Sequence, residues 1–166
     1  MGYRRRIFAR PIFQLIRALS IVGVAAAAVS CSGGDEGAEV IDLTDSSIGT
    51  CLDFGDSIDA EITKLPVVPC GEPHSHEIYA VEIYVVENTA TASYPGLEAL
   101  EAEAQTRCLG AFEEYVGISA FDSELFFSWL VPTLNSWDRD DDRQIVCVIG
   151  EGNGAPLVGT VRKLAR

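Results

Sequence analysis

Besides Cys31, the chain has four cysteines, and each disulfide that they form would join two segments of the chain. They are Cys51, Cys70, Cys108 and Cys147. An even number of cysteines in an exported chain predicts disulfide bonds, although four cysteines allow three pairings. Pairing Cys51 with Cys70 closes a short loop. A structural zinc site is the less favoured alternative, because no two of these cysteines have its short ligand spacing.

The N-terminus predicts export and lipid attachment. Arginines precede an apolar stretch from Ala18 to Val29, and Ser30 is the small residue before Cys31. A basic start, an apolar stretch of about 7 to 15 residues and a small residue at the cleavage site are typical of a secretory signal peptide. We therefore predict a lipoprotein signal peptide over residues 1–30 and a lipid anchor, with acyl chains such as palmitate, on Cys31. The expected location is the extracytoplasmic face of the cell membrane.

The apolar stretch has two other interpretations, a membrane-spanning helix and an ordinary cleaved signal with an unmodified cysteine. A spanning helix needs about 18 or more apolar residues, whereas the stretch from Ala18 meets Ser30 and then the polar segment 32–36. Arg5-Arg6-Ile7-Phe8 also resembles a twin-arginine signal. Because four cysteines would pair after export, unfolded export fits better.

The mature chain is strongly acidic. Residues 1–30 hold five of the 12 basic side chains and none of the 25 acidic ones, so their removal leaves a formal charge of −18. Such a surface repels nucleic acid and anionic lipid headgroups, which excludes nucleic-acid binding and leaves membrane attachment to the lipid. Residues 31–47 are rich in glycine and acidic side chains and predict a flexible acidic tether. Residues 48–166 are long enough for one domain.

Short segments with β character predict a mostly antiparallel sheet of about five to six strands. These segments are Thr50–Phe54, Leu65–Val68, Ile78–Val86, Leu125–Val131, Gln144–Gly150 and Leu157–Lys163. Residues 132–143 predict a turn region that holds Trp137. We place Trp137 and Trp129 in the core rather than in an exposed binding pair.

One amphipathic helix follows the turn Tyr94-Pro95-Gly96. Its apolar residues recur at spacings of three and four, and they are Leu97, Leu100, Ala104, Cys108, Ala111, Phe112 and Tyr115. Gly117 is predicted to end the helix. Because Cys108 lies on the apolar stripe, its thiol should face the sheet, which favours pairing it with Cys147 and leaves Cys51 for Cys70. The predicted fold class is α+β, with one main helix on one face of a disulfide-stabilised sheet.

The densest polar cluster is the segment Cys70–Glu77, which holds both histidines of the chain just ahead of a strand. Two imidazoles and a carboxylate are a known ligand set for zinc or copper. A metal-binding protein or metal-dependent enzyme that uses His74, His76 and Glu77 is therefore one hypothesis. A turn that serves the fold or contacts a ligand is the favoured alternative, and no cofactor is expected.

Other chemical signatures are weak. Asp138, Asp140 and Asp142 have the spacing that begins a calcium loop, but Arg143 and Ile149 stand where such a loop needs Gly and Glu. We predict an acidic, solvated turn there instead. The chain has neither a Gly-x-Ser-x-Gly elbow nor a Ser-x-x-Lys pair, so we expect a protein that is not an enzyme.

Several short motifs follow one another between Gly49 and Lys163. In chain order they are Gly49-Thr50-Cys51-Leu52, Val67-Val68-Pro69-Cys70-Gly71-Glu72-Pro73-His74 with Glu77, Tyr94-Pro95-Gly96, Cys108 with Phe112, Tyr115, Val116 and Gly117, Trp129, Pro132-Thr133 with Ser136-Trp137, Asp142-Arg143 and Val146-Cys147. The ordered set resembles the septum formation domain family of actinobacterial envelope proteins. His76 and Asp141 depart from the family pattern, which more usually has a short polar residue and a glycine at these positions.

This resemblance implies an extracytoplasmic, membrane-attached protein with a link to cell division or the cell wall, and it carries over no catalytic residue. We expect a non-enzymatic lipoprotein whose domain binds an unidentified envelope or division protein. The candidate contacts come from the cysteine-histidine loop and the segment around Pro132, and they are Pro73, His74, Glu77, Pro132 and Trp137.

Overall fold

The computed structural model describes residues 39–54, 62–85 and 93–166. The predicted signal peptide, the lipid attachment site at Cys31 and the first part of the predicted tether lie outside these residues. Within the described ranges, no helix has the length and apolar character needed to cross a membrane.

Six antiparallel strands form one sheet in the described part of the chain, which confirms the predicted fold class. The strands are β1 (Glu39–Asp42), β2 (Cys51–Leu52), β3 (Lys64–Val68), β4 (His76–Ile83), β5 (Leu125–Leu130) and β6 (Gln144–Glu151), in the spatial order β1-β3-β2-β4-β6-β5. Strands β4 and β6 pair in the centre, from Glu77 opposite Ile149 to Ile83 opposite Gln144. Six successive residues of β6 are buried, because both faces of the sheet are covered.

The main helix, α1 (Leu97–Val116), lies on one face of the sheet. Its buried residues repeat the predicted spacing and are Leu100, Ala104, Cys108, Phe112, Tyr115 and Val116. The helix is bounded by Gly96 and by Gly117, which have φ angles of 94° and 101°. Gly117 adopts the left-handed conformation, and its amide donates to the carbonyl of Glu113, so the helix ends where the sequence predicted.

The two faces of the sheet bury separate cores. Successive side chains of a strand point to opposite faces, so Cys147 and Ile149 pack under α1 whereas Val146 and Val148 pack in a second cluster. The other buried members of that second cluster are Leu43, Leu52, Leu65 and Ile78.

Both disulfides have the predicted pairing. Cys51 of β2 is bonded to Cys70, and Cys108 of α1 is bonded to Cys147 of β6. Cys108 and Cys147 are fully buried, so their bond fixes the helix to the central strand through the core. Cys70, in contrast, is partly exposed.

The flexible tether predicted for residues 31–47 was wrong in its last part. Residues Glu39–Asp42 form the edge strand β1, which runs antiparallel to β3. The prediction relied on the acidic composition of this segment and did not take account of Ile41 and Leu43. The apolar side chains of these two residues pack against the second core. Burial of these two side chains offsets the cost of ordering a segment that is otherwise polar.

The turn region predicted for residues 132–143 contains a short helix, α2 (Leu134–Arg139). Thr133 caps it: its hydroxyl accepts a hydrogen bond from the Ser136 amide, and the Ser136 hydroxyl accepts one from the Thr133 amide. A reciprocal capping box normally has Glu or Gln in the second position. Because serine occupies that position here, the start of the helix could not be recognised from the sequence.

The strand predicted for Leu157–Lys163 does not form. The segment makes one bridge, between Leu157 and His74, and several of its other backbone donors bind groups outside the sheet ladder. The amide of Gly159 donates to the carbonyl of Cys70, and the amide of Lys163 donates to the carbonyl of Tyr115. The prediction that apolar residues of this segment are buried is correct, since Leu157 and Val161 are both 1% exposed. Their burial does not come from pairing in a strand ladder.

Candidate functional site

The loop from Cys70 to Glu77 is held in place at two points. Its first residue is tied to β2 by the Cys51–Cys70 disulfide. His74 exchanges two backbone hydrogen bonds with Leu157, at 3.0 and 2.8 Å. The loop is therefore a fixed part of the fold, and its polar side chains have set positions.

Glu77 is completely buried and lies at the centre of this arrangement. One carboxylate oxygen accepts hydrogen bonds from the hydroxyls of Tyr115 and Thr160, each at 2.5 Å, and the other accepts one from the amide of Val161 at 2.7 Å. Removing a carboxylate from water is costly unless donors replace the solvent. Three donors do so here, and they join β4, α1 and the C-terminal segment.

Tyr115 remains a donor to Glu77 over the whole physiological pH range. Burial, together with the hydrogen bond to Glu77, raises the pKa of its hydroxyl well above the ordinary value of 10.0. The phenol therefore stays protonated.

His74 is buried as completely as Glu77, with 1% of its surface exposed. Its Nδ1 lies 2.8 Å from the carbonyl oxygen of Glu72, and because a carbonyl can only accept, Nδ1 carries the proton. In the neutral ring the lone pair is then on Nε2. That atom is buried and has no hydrogen-bond partner among the described residues.

One group of potential metal ligands occurs within the described ranges, and it differs from the set that the sequence suggested. It consists of Cys51, His74 and Glu77, each of which offers a ligand atom within 4.8 Å of the other two. His76 is not part of it, because His76 and Glu77 are neighbours on β4 and point to opposite faces. The set of His74, His76 and Glu77 is thus not assembled. Cys51 is disulfide-bonded and cannot serve as a thiolate in this state.

His76 lines a cleft of about 460 Å³, which we call the His76 cleft. The other residues that line it include Asp53, Pro73, Phe126, Gly150 and Glu151. The imidazole packs edge-on against Phe54, with ring centroids 5.3 Å apart. Burial lowers the pKa of His76 below 6.5, an effect that Asp53 opposes and His74 reinforces, so the neutral form of the ring is favoured at pH 7.

Gly150 makes room for this histidine. A Cβ atom at position 150 would lie 2.9 Å from the carbonyl oxygen of Ser75 and 3.4 Å from the nearest carbon of the His76 ring. Side chains larger than hydrogen would push β6 away from the loop, so Gly150 sets the floor of the His76 cleft.

The second predicted contact segment is also largely internal. Pro132 is buried, and Trp137 is 2% exposed between the rings of Tyr84 and Tyr94. The guanidinium carbon of Arg143 lies 3.6 Å from the centroid of the Trp137 ring. The placement of Trp137 in the core is confirmed, and Trp129 packs partly buried against the core under α1.

The acidic turn is less solvated than predicted. Asp142 is 5% exposed and accepts hydrogen bonds from the Ser136 hydroxyl and the Gln144 amide, so it connects α2 to β6. Asp140 lies on the surface, where the hydrogen bond from Arg139 lowers the pKa of its carboxyl.

The five predicted contact residues differ in exposure and in their position relative to the His76 cleft. Pro73 is exposed and lines the His76 cleft, and His74 lines the same cleft although it is buried. Glu77, Pro132 and Trp137 are buried and do not line it. Sequence reasoning missed the groups that complete the site, which are Asp53, Phe126, Gly150, Thr160 and Val161. Tyr115 could have been identified from its place on the apolar stripe of α1, because a buried tyrosine hydroxyl needs a partner.

Comparison with known proteins gives one match. A family model described as "Septum formation" matches residues 29–155. Searches of curated proteins and of solved structures returned no match.

Proposed function

The chain belongs to the septum formation family, and we propose that it is a lipid-anchored, extracytoplasmic protein that binds a partner in septum or envelope assembly through the His76 cleft. In this proposal the domain is a binding module and has no catalytic role. The apolar stretch that ends at Cys31 supports the anchor, and the two disulfides suit an oxidising compartment outside the cytoplasm.

The exposed apolar surface beside the neutral His76 carries the proposal. Phe126 is 62% exposed and lines the His76 cleft together with Pro73. Exposed aromatic side chains at the edge of a concave surface are typical of protein interfaces. Asp53 and Glu151 line the same cleft, and the mature chain is strongly acidic. A partner segment with both basic and apolar side chains fits this surface.

The engagement of the buried polar groups supports a binding role over catalysis. Glu77 is surrounded by three donors and has no exposed surface, so it cannot reach a substrate as a general base. His74 is 1% exposed. The four buried contact candidates hold the loop and α2 in place, and the partner contacts belong to Pro73, His76 and Phe126.

The place of action can be tested by time-lapse imaging of the full chain, fused at its C-terminus to a fluorophore that matures outside the cytoplasm. A Cys31→Ala version serves as the control for the anchor. We expect enrichment at division sites that is lost in Cys31→Ala. An even distribution of the original chain over the envelope would contradict the role in septum formation.

The binding surface can be tested by crosslinking in cells with Phe126→Ala and Phe121→Ala. Phe121 is a matched control, because it is 85% exposed but does not line the His76 cleft. We expect the crosslinked partner band to weaken with Phe126→Ala and to persist with Phe121→Ala. Equal bands in both variants would exclude the cleft as the binding surface.

A further inference from the structure

Cys51, His74 and Glu77 combine three different metal-binding groups in one buried cluster, at 1%, 1% and 0% exposure. We propose that reduction of the Cys51–Cys70 disulfide turns this cluster into a Zn²⁺ site, with the Cys51 thiolate, His74 Nε2 and a Glu77 carboxylate oxygen as ligands. The oxidised chain does not hold the ion, because the bonded Cys51 sulfur has no thiolate to offer.

His74 is already arranged as a ligand. Its Nδ1–H donates to the carbonyl of Glu72, which fixes the ring and leaves the lone pair of Nε2 inside the protein without a partner among the described residues. Metal-bound histidines typically make this kind of second hydrogen bond to a backbone carbonyl or carboxylate. A buried nitrogen that lacks a donor is unfavourable, and a bound cation would satisfy it.

Glu77 keeps capacity for one more partner. A carboxylate has about four acceptor sites, and Tyr115, Thr160 and Val161 use three of them. These donors also hold the carboxylate in place. With one thiolate, one carboxylate and one neutral imidazole, the charge of Zn²⁺ is balanced, so the buried site carries no net charge.

The three ligand atoms must move closer together to hold one ion. Zinc bonds to sulfur are about 2.3 Å and those to nitrogen or oxygen about 2.0 to 2.2 Å, so at the tetrahedral angle two ligand atoms lie roughly 3.4 to 3.6 Å apart. The Cys51 sulfur, one ring nitrogen of His74 and one carboxylate oxygen of Glu77 lie within 4.8 Å of one another. Release of Cys51 from its disulfide frees its side chain to rotate toward the other two ligands, and a water molecule completes the tetrahedron.

The exposure of the two disulfides decides which one reacts. Cys70 is partly exposed, whereas Cys51 and both cysteines of the second disulfide are buried. A thiolate of a dithiol reductant attacks the Cys70 sulfur, and the electron pair of the broken bond leaves with Cys51 as a thiolate. The second thiolate of the reductant then displaces Cys70, which takes up a proton, and the reductant ends as a disulfide. Zinc binds the Cys51 thiolate directly, or replaces its proton if it has been protonated.

Two reciprocal variants test the site. Cys70→Ser lacks the disulfide but keeps all three ligands, whereas Cys51→Ser lacks the disulfide and one ligand. Each is incubated with Zn²⁺, freed of excess metal by gel filtration and analysed for zinc. We expect about one zinc ion per chain in Cys70→Ser without any reductant, and substoichiometric zinc in Cys51→Ser and in the oxidised original chain. Equal zinc in the two variants would overturn the proposal.

The original chain gives a second measurement that does not depend on the folding of a variant. It is reduced with a phosphine, which adds no competing thiol, and loaded with Zn²⁺ beside His74→Ala treated in the same way. Zinc should be bound by the original chain and lost in His74→Ala. Cobalt in place of zinc should give the absorption of a thiolate-bound ion. Absence of zinc from the reduced original chain would overturn the proposal, whatever the variants do.

Discussion

The hydroxyl of Tyr115 lies 2.5 Å from the carboxylate of Glu77 and donates a hydrogen bond to it, so α1 and β4 are joined inside the core by a bond to an acidic group. The same carboxylate accepts hydrogen bonds from the hydroxyl of Thr160 and the amide of Val161, which belong to the C-terminal segment. One buried side chain thereby orders three parts of the chain that are distant in sequence. The loop that carries His74 and His76 depends on this arrangement.

Tyr115→Phe should lower the free energy of unfolding by about 1 to 3 kcal/mol, because it leaves a buried carboxylate with one donor fewer. Tyr79→Phe is the matched control, since the Tyr79 hydroxyl is also buried but donates to the neutral backbone carbonyl of Cys108. Loss of this hydrogen bond should lower the free energy of unfolding by about 0.5 to 1.5 kcal/mol. Urea unfolding of both variants measures the difference. A smaller loss for Tyr115→Phe than for Tyr79→Phe would contradict the central role of Glu77.

Gly150→Ala and Gly110→Ala should have opposite effects on stability. At position 150 the added Cβ would meet the Ser75 carbonyl oxygen at 2.9 Å, so β6 and the loop must separate and the protein should lose stability. At position 110, on the exposed face of α1, nothing lies within 4 Å of the added Cβ. Alanine there should stabilise the helix by about 0.5 to 1 kcal/mol.

Thermal melting of the two glycine variants checks the signs of these effects. A histidine NMR spectrum should also show a shift of the His76 signals in Gly150→Ala and none in Gly110→Ala. If Gly150→Ala melts at the temperature of the original chain with unchanged His76 signals, the close packing between β6 and the loop is wrong.

His76 should make the protein less stable as the pH is lowered below 6.5. The pKa of His76 is lowered in the folded state, chiefly by burial, so between the folded-state pKa and 6.5 the unfolded chain binds more protons than the folded one. The free energy of unfolding therefore rises with pH across this window. It falls as the pH drops through the folded-state pKa.

The comparison with His76→Gln isolates this effect, since every other titratable group is present in both proteins. Urea unfolding at about pH 8 and about pH 5.5 brackets the ordinary pKa of histidine. The original chain should lose more stability than His76→Gln between these two values. An equal loss in both proteins would mean that burial does not affect His76 in the folded state.

The helix, most of the strands and the disulfide pairing could be predicted because local periodicity determines them. Cys108 lies on the apolar stripe of α1, so its sulfur must face the sheet where Cys147 lies. The Leu157–Lys163 segment shows the limit of this reasoning. Its buried residues alternate as in a strand, but Val161 donates its amide to Glu77, more than 80 residues away, and sequence alone does not show such a contact.

The candidate site shows the same limit. The polar loop with His74 and His76 was visible, but adjacent positions on a strand place His76 and Glu77 on opposite faces, which separates the cleft from the buried carboxylate. The floor at Gly150 and the exposed Phe126 come from β5 and β6, which the sequence places far from the loop. Their position follows from the strand order β4-β6-β5.

The two disulfides should differ in their reaction with mild reductant under native conditions. Cys70 is partly exposed, so the Cys51–Cys70 bond can be attacked, whereas Cys108 and Cys147 are fully buried and open only when the core does. Reduction followed by alkylation and mass spectrometry should label Cys51 and Cys70 first. In urea both bonds should react, which serves as the control.

Selective reduction should also lower stability by about 3 kcal/mol, the loop-closure value expected for a sequence separation of 19. The partly reduced chain should still melt cooperatively, because the bond between α1 and β6 stays intact. If Cys108 and Cys147 are labelled as fast as Cys51 and Cys70 in native buffer, access does not control the reaction. The core under α1 would then open far more readily than its complete burial indicates.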